Sequence, residues 1–386
     1  MISFRNLCVL CNPSSNLIPI KTIMVTHHLI DCHEEYDLTY GYCENCYSVQ
    51  IMTLLDPSIL YDGSNLILPF SNNYNWIQHN ISFVQFIVSS INPNESLLEI
   101  GSSSFLLGKH LIEYYKDYTV FDISLKTCNK RSDVKYIEGN CENYQFEKGS
   151  NIIMSHVFEH LYEPKKFIEN CFKNNVKNII ISIPNMNNIG IIHVTNQHTY
   201  LYKDQDIEYI FSLYNYKCSK KTFFNTSDES FGSIFLHFSF FQDNEYSILR
   251  NTTTNLPNYL YINNFLNDKI YVPKNTFIAT AGMFSVILFS LIENKENVIG
   301  VIDQNNNLHK KLFANTKIKI YPYEYLRPLS KYNLEKCQFT LDNKEFLVSK
   351  ELNKNETISI IIHHPRKNDI INSIHKVNDK INIICI

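Results

Sequence analysis

Strand-like and helix-like segments alternate between residues 97 and 184, and this alternation constrains the fold of the 386-residue chain more than any other feature. Short apolar runs such as LLEI, YTVFD and NIIISIP are rich in β-branched or aromatic residues, and amphipathic segments such as EPKKFIENCFK lie between them. This pattern predicts parallel strands that are covered by helices on both faces. The pattern WIQHNISFVQFIVSS, starting at Trp76, predicts one helix before the first of these strands. The predicted fold class is therefore α/β.

A second α/β series extends from Tyr271 to Ile386 and includes the runs FIATAG, NVIGVID, TISIIIHH and INIICI. The uncharged run Thr276–Ile292 has 17 residues, which is the lower limit for a membrane span. Its strand-like start, the glycine at Gly282 and the strand-like run that follows favour a buried strand–turn–helix–strand unit instead.

Three domains follow from these patterns: a zinc-binding domain at 1–70, a nucleotide-binding α/β domain at 71–250 and a Rossmann-like domain at 251–386. A phenylalanine-rich run at 230–241 predicts an antiparallel strand added at an edge of the first sheet. The polar segment at 250–257 is interpreted as the linker to the last domain.

Charge and the N-terminal residues narrow the class of protein. The formal net charge is −3, whereas a nucleic-acid-binding surface needs excess positive charge to displace counterions from phosphates. The start MISFRNLCVLCNP has no basic segment followed by a long apolar core, so no secretory signal is predicted. We expect a soluble, cytoplasmic monomer or small homo-oligomer that binds neither nucleic acid nor a membrane.

Two CxxC pairs, Cys8/Cys11 and Cys43/Cys46, predict a metal site. Each pair can bind one ion from a tight turn, and four thiolates complete the closed tetrahedral shell of a structural Zn²⁺. Cys32 and His33 lie between the pairs and are alternative ligands. A closed shell has no open position, so this zinc would be structural, and its binding would supply folding energy for the small domain. Chance pairing among 11 cysteines is the competing explanation.

The segment from Glu99 to Gly108 reads EIGSSSFLLG and follows a strand-like run, as nucleotide-binding turns do. Asp122 ends the next strand-like run, 21 residues after Gly101, where a carboxylate can bind a ribose diol. This pairing resembles the first two motifs of class I S-adenosylmethionine-dependent methyltransferases. Ser103 and Phe105 occupy positions where that family has glycine, so another α/β nucleotide fold and an inactive cofactor site remain alternatives.

The run NIIMSHVFEHL places Ser155 and His156 at the carboxyl end of a further strand, followed by Glu159 and His160. Open α/β sheets bind ligands at this edge, so we assign Ser155 and His156, with Glu99, Gly101, Ser103 and Asp122, to cofactor binding. Ordinary polar residues at the exposed start of a helix are the competing explanation for the two histidines.

Taken in order, the two cysteine pairs, the EIG turn, the SHVFEHL segment and the segment NQHTYLY resemble the zinc-containing sugar C-methyltransferases of deoxysugar biosynthesis. The resemblance extends over the whole chain. It implies a zinc domain, a class I methyltransferase domain and a C-terminal Rossmann-like domain. It also implies S-adenosylmethionine as cofactor and a nucleotide-linked ketodeoxysugar as substrate.

The resemblance also implies catalytic roles. His198 matches the family's base, which removes a proton beside a ketone, and Gln197 stands where the family has glutamate. His160 matches a histidine that holds the substrate, and Tyr74 is a candidate for a substrate-side tyrosine. The segment 231–233 (FGS) matches a loop near the substrate.

The residues themselves leave the acceptor atom open. A histidine with a pKa near 7 suits proton removal, and hydrogen-bond donors can stabilise the enolate. Because Gln197 cannot ionise, O- or N-methylation of a sugar or glycan precursor is an alternative to C-methylation. A catalytically inactive scaffold that keeps the methyltransferase fold is a further alternative, and a dehydrogenase-like nucleotide site in the C-terminal domain is another.

Overall fold

The structure is a computed structural model of the chain. It describes residues 2–27, 34–61, 74–102, 105–126, 130–189, 193–225, 232–241, 255–279, 283–303, 308–309, 311–313, 316–322, 340–341, 344–345, 359–362 and 382–385. The chain divides into two compact units, one formed by residues 1–22 and 37–267 and the other by 23–36 and 268–386. Grouping by contacts does not test the predicted division into three domains at 70 and 250, which stays a prediction.

The cysteine-containing segment is built from short strands and one helical turn. These are β1 (Ile2–Phe4), β2 (Leu17–Thr26), β3 (Glu35–Cys43), β4 (Val49–Ile51), β5 (Thr53–Leu55) and α1 (Pro57–Leu60). Among the described residues, β1 pairs with β5 in an antiparallel ladder, and β2, β3 and β4 form a sheet in that order. Asp56 caps α1 by accepting a hydrogen bond from the backbone N–H of Ser58.

Twelve further elements complete the first unit in the part of the chain that is described. They are α2 (Tyr74–Val88), β6 (Leu97–Ile100), α3 (Gly108–Leu111), β7 (Tyr118–Asp122), β8 (Lys135–Glu138), β9 (Asn151–Ser155), α4 (Pro164–Lys173), β10 (Asn178–Pro184), α5 (Asp204–Ser212), β11 (Tyr216–Asn225), β12 (Gly232–Phe240) and α6 (Leu256–Asn267).

The seven described strands from β6 to β12 form one sheet in the order β11-β12-β10-β9-β6-β7-β8. Strands β10, β9, β6, β7 and β8 are parallel, and β12 is antiparallel to both of its neighbours. All seven residues of β10 are buried, as expected for a central strand covered on both faces. The predicted strands β6, β7, β9 and β10 and the predicted helices α2 and α4 are confirmed.

One expectation for this sheet is corrected. The phenylalanine-rich run does form an antiparallel strand, β12, but it lies inside the sheet between β10 and β11 and not at an edge. The edge strand is β11, whose side chains are mostly exposed or half-buried and include three lysines. Because β12 is apolar, it is more stable as an inner strand, where most of its residues are buried. The more polar β11 tolerates the solvent-exposed edge.

The helix after the EIG turn has only four residues. Phe105 adopts a left-handed backbone conformation with φ of 61°, so α3 starts only at Gly108 and ends at Leu111. The predicted linker is also shorter where it is described, because Leu256 and Pro257 begin α6. Proline is compatible with the first turn of a helix, where its missing N–H has no helical partner.

The second unit contains its own parallel sheet. Its described elements are β13 (Thr276–Ala279), α7 (Met283–Leu291), β14 (Val298–Ile302), β15 (Ile320–Tyr321), β16 (Thr340–Leu341), β17 (Lys344–Glu345), β18 (Ser359–Ile362) and β19 (Asn382–Cys385). Among them, five strands pair in parallel in the order β15-β14-β13-β18-β19, which matches the first five strands of a doubly wound sheet, and β16 and β17 form a separate antiparallel pair.

The apolar run at 276–292 forms strand β13 and helix α7, and β14 then returns parallel to β13. The predicted strand–turn–helix–strand unit is thus confirmed, although Gly282 itself lies outside the described residues. No helix in the described part of the chain is both long and apolar enough to cross a membrane.

Candidate functional site

The four cysteines of the two CxxC pairs come together in one buried group. The Sγ atoms of Cys8 and Cys46 are 3.8 Å apart, and those of Cys11 and Cys43 are 3.6 Å apart. Four sulfurs at ~2.3 Å from a tetrahedral Zn²⁺ lie about 3.75 Å from one another, so the spacing fits this ion and is much too long for disulfides. Cys32 and His33 lie outside the described residues.

Polar groups around the cysteines suit thiolates rather than neutral thiols. The side-chain amide of Gln50 donates to Cys8 Sγ at 2.9 Å, and the backbone N–H of Leu10 points at the same sulfur at 3.4 Å. The amide of Asn45 lies 3.7 Å from Cys11 Sγ. Such donors orient metal-bound sulfur and offset its negative charge.

The cysteine-containing segment also holds the loop that carries Gln197 and His198. The buried guanidinium of Arg5 donates to the carbonyl oxygen of Thr199 at 2.8 Å and to that of Tyr162 at 2.7 Å. Strand β4 and the loop exchange backbone hydrogen bonds, from Ile51 to Thr199 at 3.0 Å and from Leu201 to Val49 at 2.8 Å. The loop is therefore fixed in position by residues near both cysteine pairs.

The turn after β6 has the shape that close approach of a ligand needs. Gly101 has φ of 75°, and a Cβ built there would lie 2.2 Å from Val157 Cγ2, so a larger residue does not fit. Ser103 lies outside the described residues. Phe105, which replaces a family glycine, packs its ring into the apolar core beneath the turn and against Gly108. The Phe105 ring is therefore part of the core.

Glu99 at the end of β6 is buried and accepts a 2.5 Å hydrogen bond from the hydroxyl of Tyr118. Burial raises the pKa of this carboxyl to about 7. Asp122 ends the neighbouring strand β7, where one carboxylate oxygen accepts from the backbone N–H of Ser124 at 3.0 Å. Both carboxyl groups lie along one cavity.

This cavity, of about 410 Å³, opens at the carboxyl ends of the parallel strands. Open α/β sheets bind ligands in this place. The structure brings together most of the site residues predicted from the sequence on its wall: Glu99, Gly101, Asp122, Ser155, His156, His160, Gln197 and His198.

His156 lies in the turn after β9 with φ of 53°. Its Nε2 is 3.0 Å from the hydroxyl of Ser233, and its Nδ1 is 3.3 Å from a carboxylate oxygen of Glu159. Desolvation lowers the pKa of this imidazole to about 3, so the ring is neutral. Ser233 belongs to the FGS segment, of which Phe231 lies outside the described residues.

His198 and His160 both line the cavity and pack edge to face, with ring centroids 5.4 Å apart. Nδ1 of His198 lies 2.9 Å from the carbonyl oxygen of His193 and so carries the proton. The lone pair is then on Nε2. Desolvation lowers the pKa of His198 well below its ordinary value, which keeps this nitrogen free of a second proton at neutral pH.

Several cavity residues were missed by the sequence reasoning. Tyr61, directly after α1, places its hydroxyl 2.7 Å from Nδ1 of His160, and Trp76 on α2 packs edge-on against His156. Tyr74, the tyrosine proposed from the resemblance, begins α2, but its side chain lies outside the described part. Trp76 is the single tryptophan of the chain and stands at the start of a predicted helix. This position was the one feature of the sequence that could have marked it as a cavity residue.

No family model and no curated protein sequence matches the chain. Solved structures resemble part of it. Magnesium protoporphyrin IX methyltransferase from Synechocystis, with bound S-adenosylhomocysteine, has 16% identity and a TM-score of 0.35, over 43% of this chain and 84% of that chain. The N-methyltransferase NodS from Bradyrhizobium japonicum, also with S-adenosylhomocysteine, has 12% identity and a TM-score of 0.37, over 45% of this chain and 90% of that chain.

Both TM-scores are below 0.5, so the assignment of the fold depends on the topology of the chain itself. The order β8-β7-β6-β9-β10-β12-β11, with β12 antiparallel to its neighbours, is the strand order of the class I methyltransferase fold.

Proposed function

We propose that the chain is an S-adenosylmethionine-dependent methyltransferase whose acceptor is a nucleotide-linked ketodeoxysugar. One observation carries this proposal: the Gly101 turn, Asp122, His160 and His198 all line a single cavity. A methyl donor and an acceptor bound side by side need this arrangement, because transfer requires the two reacting atoms in contact.

The cofactor would occupy the end between β6 and β7. Gly101, which lines the cavity, lies in a turn that admits no larger residue, and the carboxylate of Asp122 can accept hydrogen bonds from both ribose hydroxyls. Asn140 and Glu142, which follow β8, line the same end and offer polar groups for an adenine or its ribose.

The acceptor would lie against His198, which supplies the base. For a carbon acceptor, Nε2 of His198 removes a proton from the carbon beside the ketone, the enolate carbon attacks the methyl carbon, and the S–CH₃ bond breaks. The proton remains on His198, and the products are the C-methylated ketone and S-adenosylhomocysteine. The neutral tautomer with its lone pair on Nε2 supports this role.

Methylation of oxygen or nitrogen is the second candidate. Gln197 lines the cavity as a neutral amide, so it cannot share a proton with His198 as a glutamate would. A hydroxyl or ammonium acceptor needs only one base, which His198 alone provides. Incubation with S-adenosylmethionine and a panel of nucleotide 4-keto sugars, followed by mass spectrometry of product fragments, distinguishes methyl groups on carbon from those on oxygen or nitrogen.

The four-cysteine group would hold one structural Zn²⁺. Its closed thiolate shell has no position for substrate, so the ion would stabilise the segment that fixes the His198 loop and take no part in methyl transfer.

Replacing Asp122 by alanine is expected to weaken S-adenosylhomocysteine binding. Loss of charge-assisted hydrogen bonds to the ribose costs ~1.5–3 kcal/mol, which is roughly a 10- to 150-fold rise in Kd. Isothermal titration calorimetry measures this. The control is Asp117→Ala, which removes an exposed carboxylate just before the opposite end of β7 and is expected to bind like the wild type. If the wild type itself does not bind S-adenosylhomocysteine, the inactive-scaffold alternative is favoured.

A further inference from the structure

A second group of metal-ligating side chains lies apart from the four cysteines. Among the described residues, ligand atoms of Glu159, His160 and His198 all lie within 4.8 Å of one another. Nε2 of His160 is 3.8 Å from Oε1 of Glu159. Ligands at ~2.1 Å from one tetrahedral ion lie about 3.4 Å apart, so side-chain adjustments of about 1 Å would bring all three onto a common ion.

Glu159 supplies the second observation. Its side chain is wholly buried, and neither of its carboxylate oxygens accepts a well-aligned hydrogen bond from the described residues, although Nδ1 of the neutral His156 lies 3.3 Å from Oε1. Folded proteins rarely leave a buried carboxyl group without a donor, because its desolvation is then uncompensated. A cation between Glu159 and the two histidines would compensate the buried carboxylate.

Both histidines are already oriented as metal ligands usually are. Nδ1 of His198 donates to the carbonyl of His193 at 2.9 Å, and Nδ1 of His160 is 2.7 Å from the hydroxyl of Tyr61. A hydrogen bond at one ring nitrogen fixes the ring and leaves the other nitrogen for a metal. Here Nε2 is the remaining nitrogen in both rings.

We propose that Glu159, His160 and His198 bind a divalent transition-metal ion, such as Zn²⁺ or Co²⁺, on the wall of the cavity. Two imidazoles and one carboxylate are the donor set of open zinc and iron sites, and they favour such ions over Mg²⁺ or Ca²⁺. All three residues line the cavity, so the remaining coordination positions face the space assigned to the acceptor. In this respect the site differs from the closed thiolate site.

The ion has a consequence for the proposed methyl transfer, and this part of the inference rests on the proposed function. A metal on Nε2 of His198 occupies the lone pair that would take the proton. Binding at this site therefore inhibits the enzyme, and Zn²⁺ would act as a reversible inhibitor that competes with the acceptor.

The test is titration of the purified full chain, with its zinc content measured beforehand, with CoCl₂. Calorimetry and visible absorption of Co²⁺ are recorded together. One additional Co²⁺ per chain is expected, without the strong near-ultraviolet sulfur-to-cobalt absorption of a thiolate site. Glu159→Gln is expected to lower its affinity at least 10-fold, as is His160→Gln.

Glu142→Gln is the matched control, because Glu142 is also a buried carboxyl group on the cavity wall but lies outside the three-residue group. It is expected to bind Co²⁺ like the wild type. Circular dichroism and the thermal midpoint establish whether each variant is folded. If Glu159→Gln does not fold, His160→Gln gives an independent measure of metal binding.

Uptake of no Co²⁺ beyond the thiolate site, or equal affinity in wild type, Glu159→Gln and His160→Gln, would overturn the metal site. Binding that leaves methyl transfer unaffected would support the site and instead overturn the base role of His198. Calorimetry of Co²⁺ binding needs no turnover, so it tests the metal site even if the chain transfers no methyl group. Failure of the metal site and failure of the proposed function can therefore be distinguished.

Discussion

Cys43→Ser is expected to lose the zinc ion and to unfold the cysteine-containing segment. Structural Zn²⁺ contributes an apparent ~10–16 kcal/mol in small zinc modules, which exceeds the stability of most domains. Three of the five strands, β1, β4 and β5, have only three residues each, so the four-cysteine group is the main link between the segment's two CxxC turns. Elemental analysis measures the zinc, and hydrogen exchange of residues 2–61 measures the unfolding.

The control is Cys218→Ser, which replaces a half-buried cysteine on edge strand β11, far along the chain from the CxxC pairs. It is expected to keep one zinc per chain and native exchange rates. A protein purified without chelator that contains no zinc, or a Cys43→Ser variant with native exchange in residues 2–61, would contradict the prediction.

Zinc loss is also expected to affect methyl transfer more than cofactor binding. The hydrogen bonds from Arg5 to Thr199 and from Ile51 to Thr199 tie the His198 loop to the cysteine-containing segment. When the segment unfolds, the loop loses these anchors, whereas Gly101 and Asp122 remain on strands of the central sheet. Calorimetry with S-adenosylhomocysteine, run beside the activity assay on Cys43→Ser, separates the two effects.

The central sheet could be predicted because its strands are recognisable one at a time. A run such as NIIISIP has no polar face, so burial on both sides is its stable arrangement, and all seven residues of β10 are buried. The place of β12 could not be predicted in the same way. Strand order is decided by pairing between distant segments, and only the exposed polar pattern of β11 marks it as the edge.

The candidate site likewise has one part that could be predicted from the sequence and one part that could not. The turn at Gly101 and the carboxylate of Asp122 follow strand-like runs, so their shared edge is implied by the parallel sheet itself. His160 and His198 are brought together by a loop whose position depends on Arg5, and no local pattern reports that contact. The absence of a described hydrogen-bond partner for Glu159 likewise appears only in three dimensions.

His198→Ala is expected to lower the rate of methyl transfer by about 10²–10⁴-fold, the usual contribution of a general base. Affinity for S-adenosylhomocysteine is expected to stay near that of the wild type, because Asp122 ends β7, whereas His198 lies in the loop held by Arg5 and β4. Single-turnover rates measure the first quantity, and calorimetry measures the second. His110→Ala, on α3 and away from the cavity lining, is the matched control and is expected to be fully active.

The pH dependence tests the same role with a definite sign. A base works only when unprotonated, and desolvation lowers the pKa of His198 well below 6.5. Protonation of His198 should therefore cost no activity as the pH falls from 8 through 6.5, and should lower activity only at more acid pH. Burial raises the pKa of the Glu99 and Glu159 carboxyl groups to about 7, so these two groups titrate within that range, and the ring of His198 is therefore followed directly by NMR. A His198 imidazole that gains its second proton at or above pH 6.5 would contradict its neutral state.

Gln197→Glu then distinguishes the acceptor atoms. The added carboxyl group supplies the acid that the resembled family places beside its base, so a C-methylating enzyme is expected to keep or increase its activity. An O-methylating enzyme is expected to lose activity, because a new negative charge beside the acceptor opposes formation of an alkoxide. If His198→Ala were as active as the wild type, the base would have to be sought elsewhere on the same wall. His156, with its neutral imidazole 3.0 Å from the Ser233 hydroxyl, would be tested next.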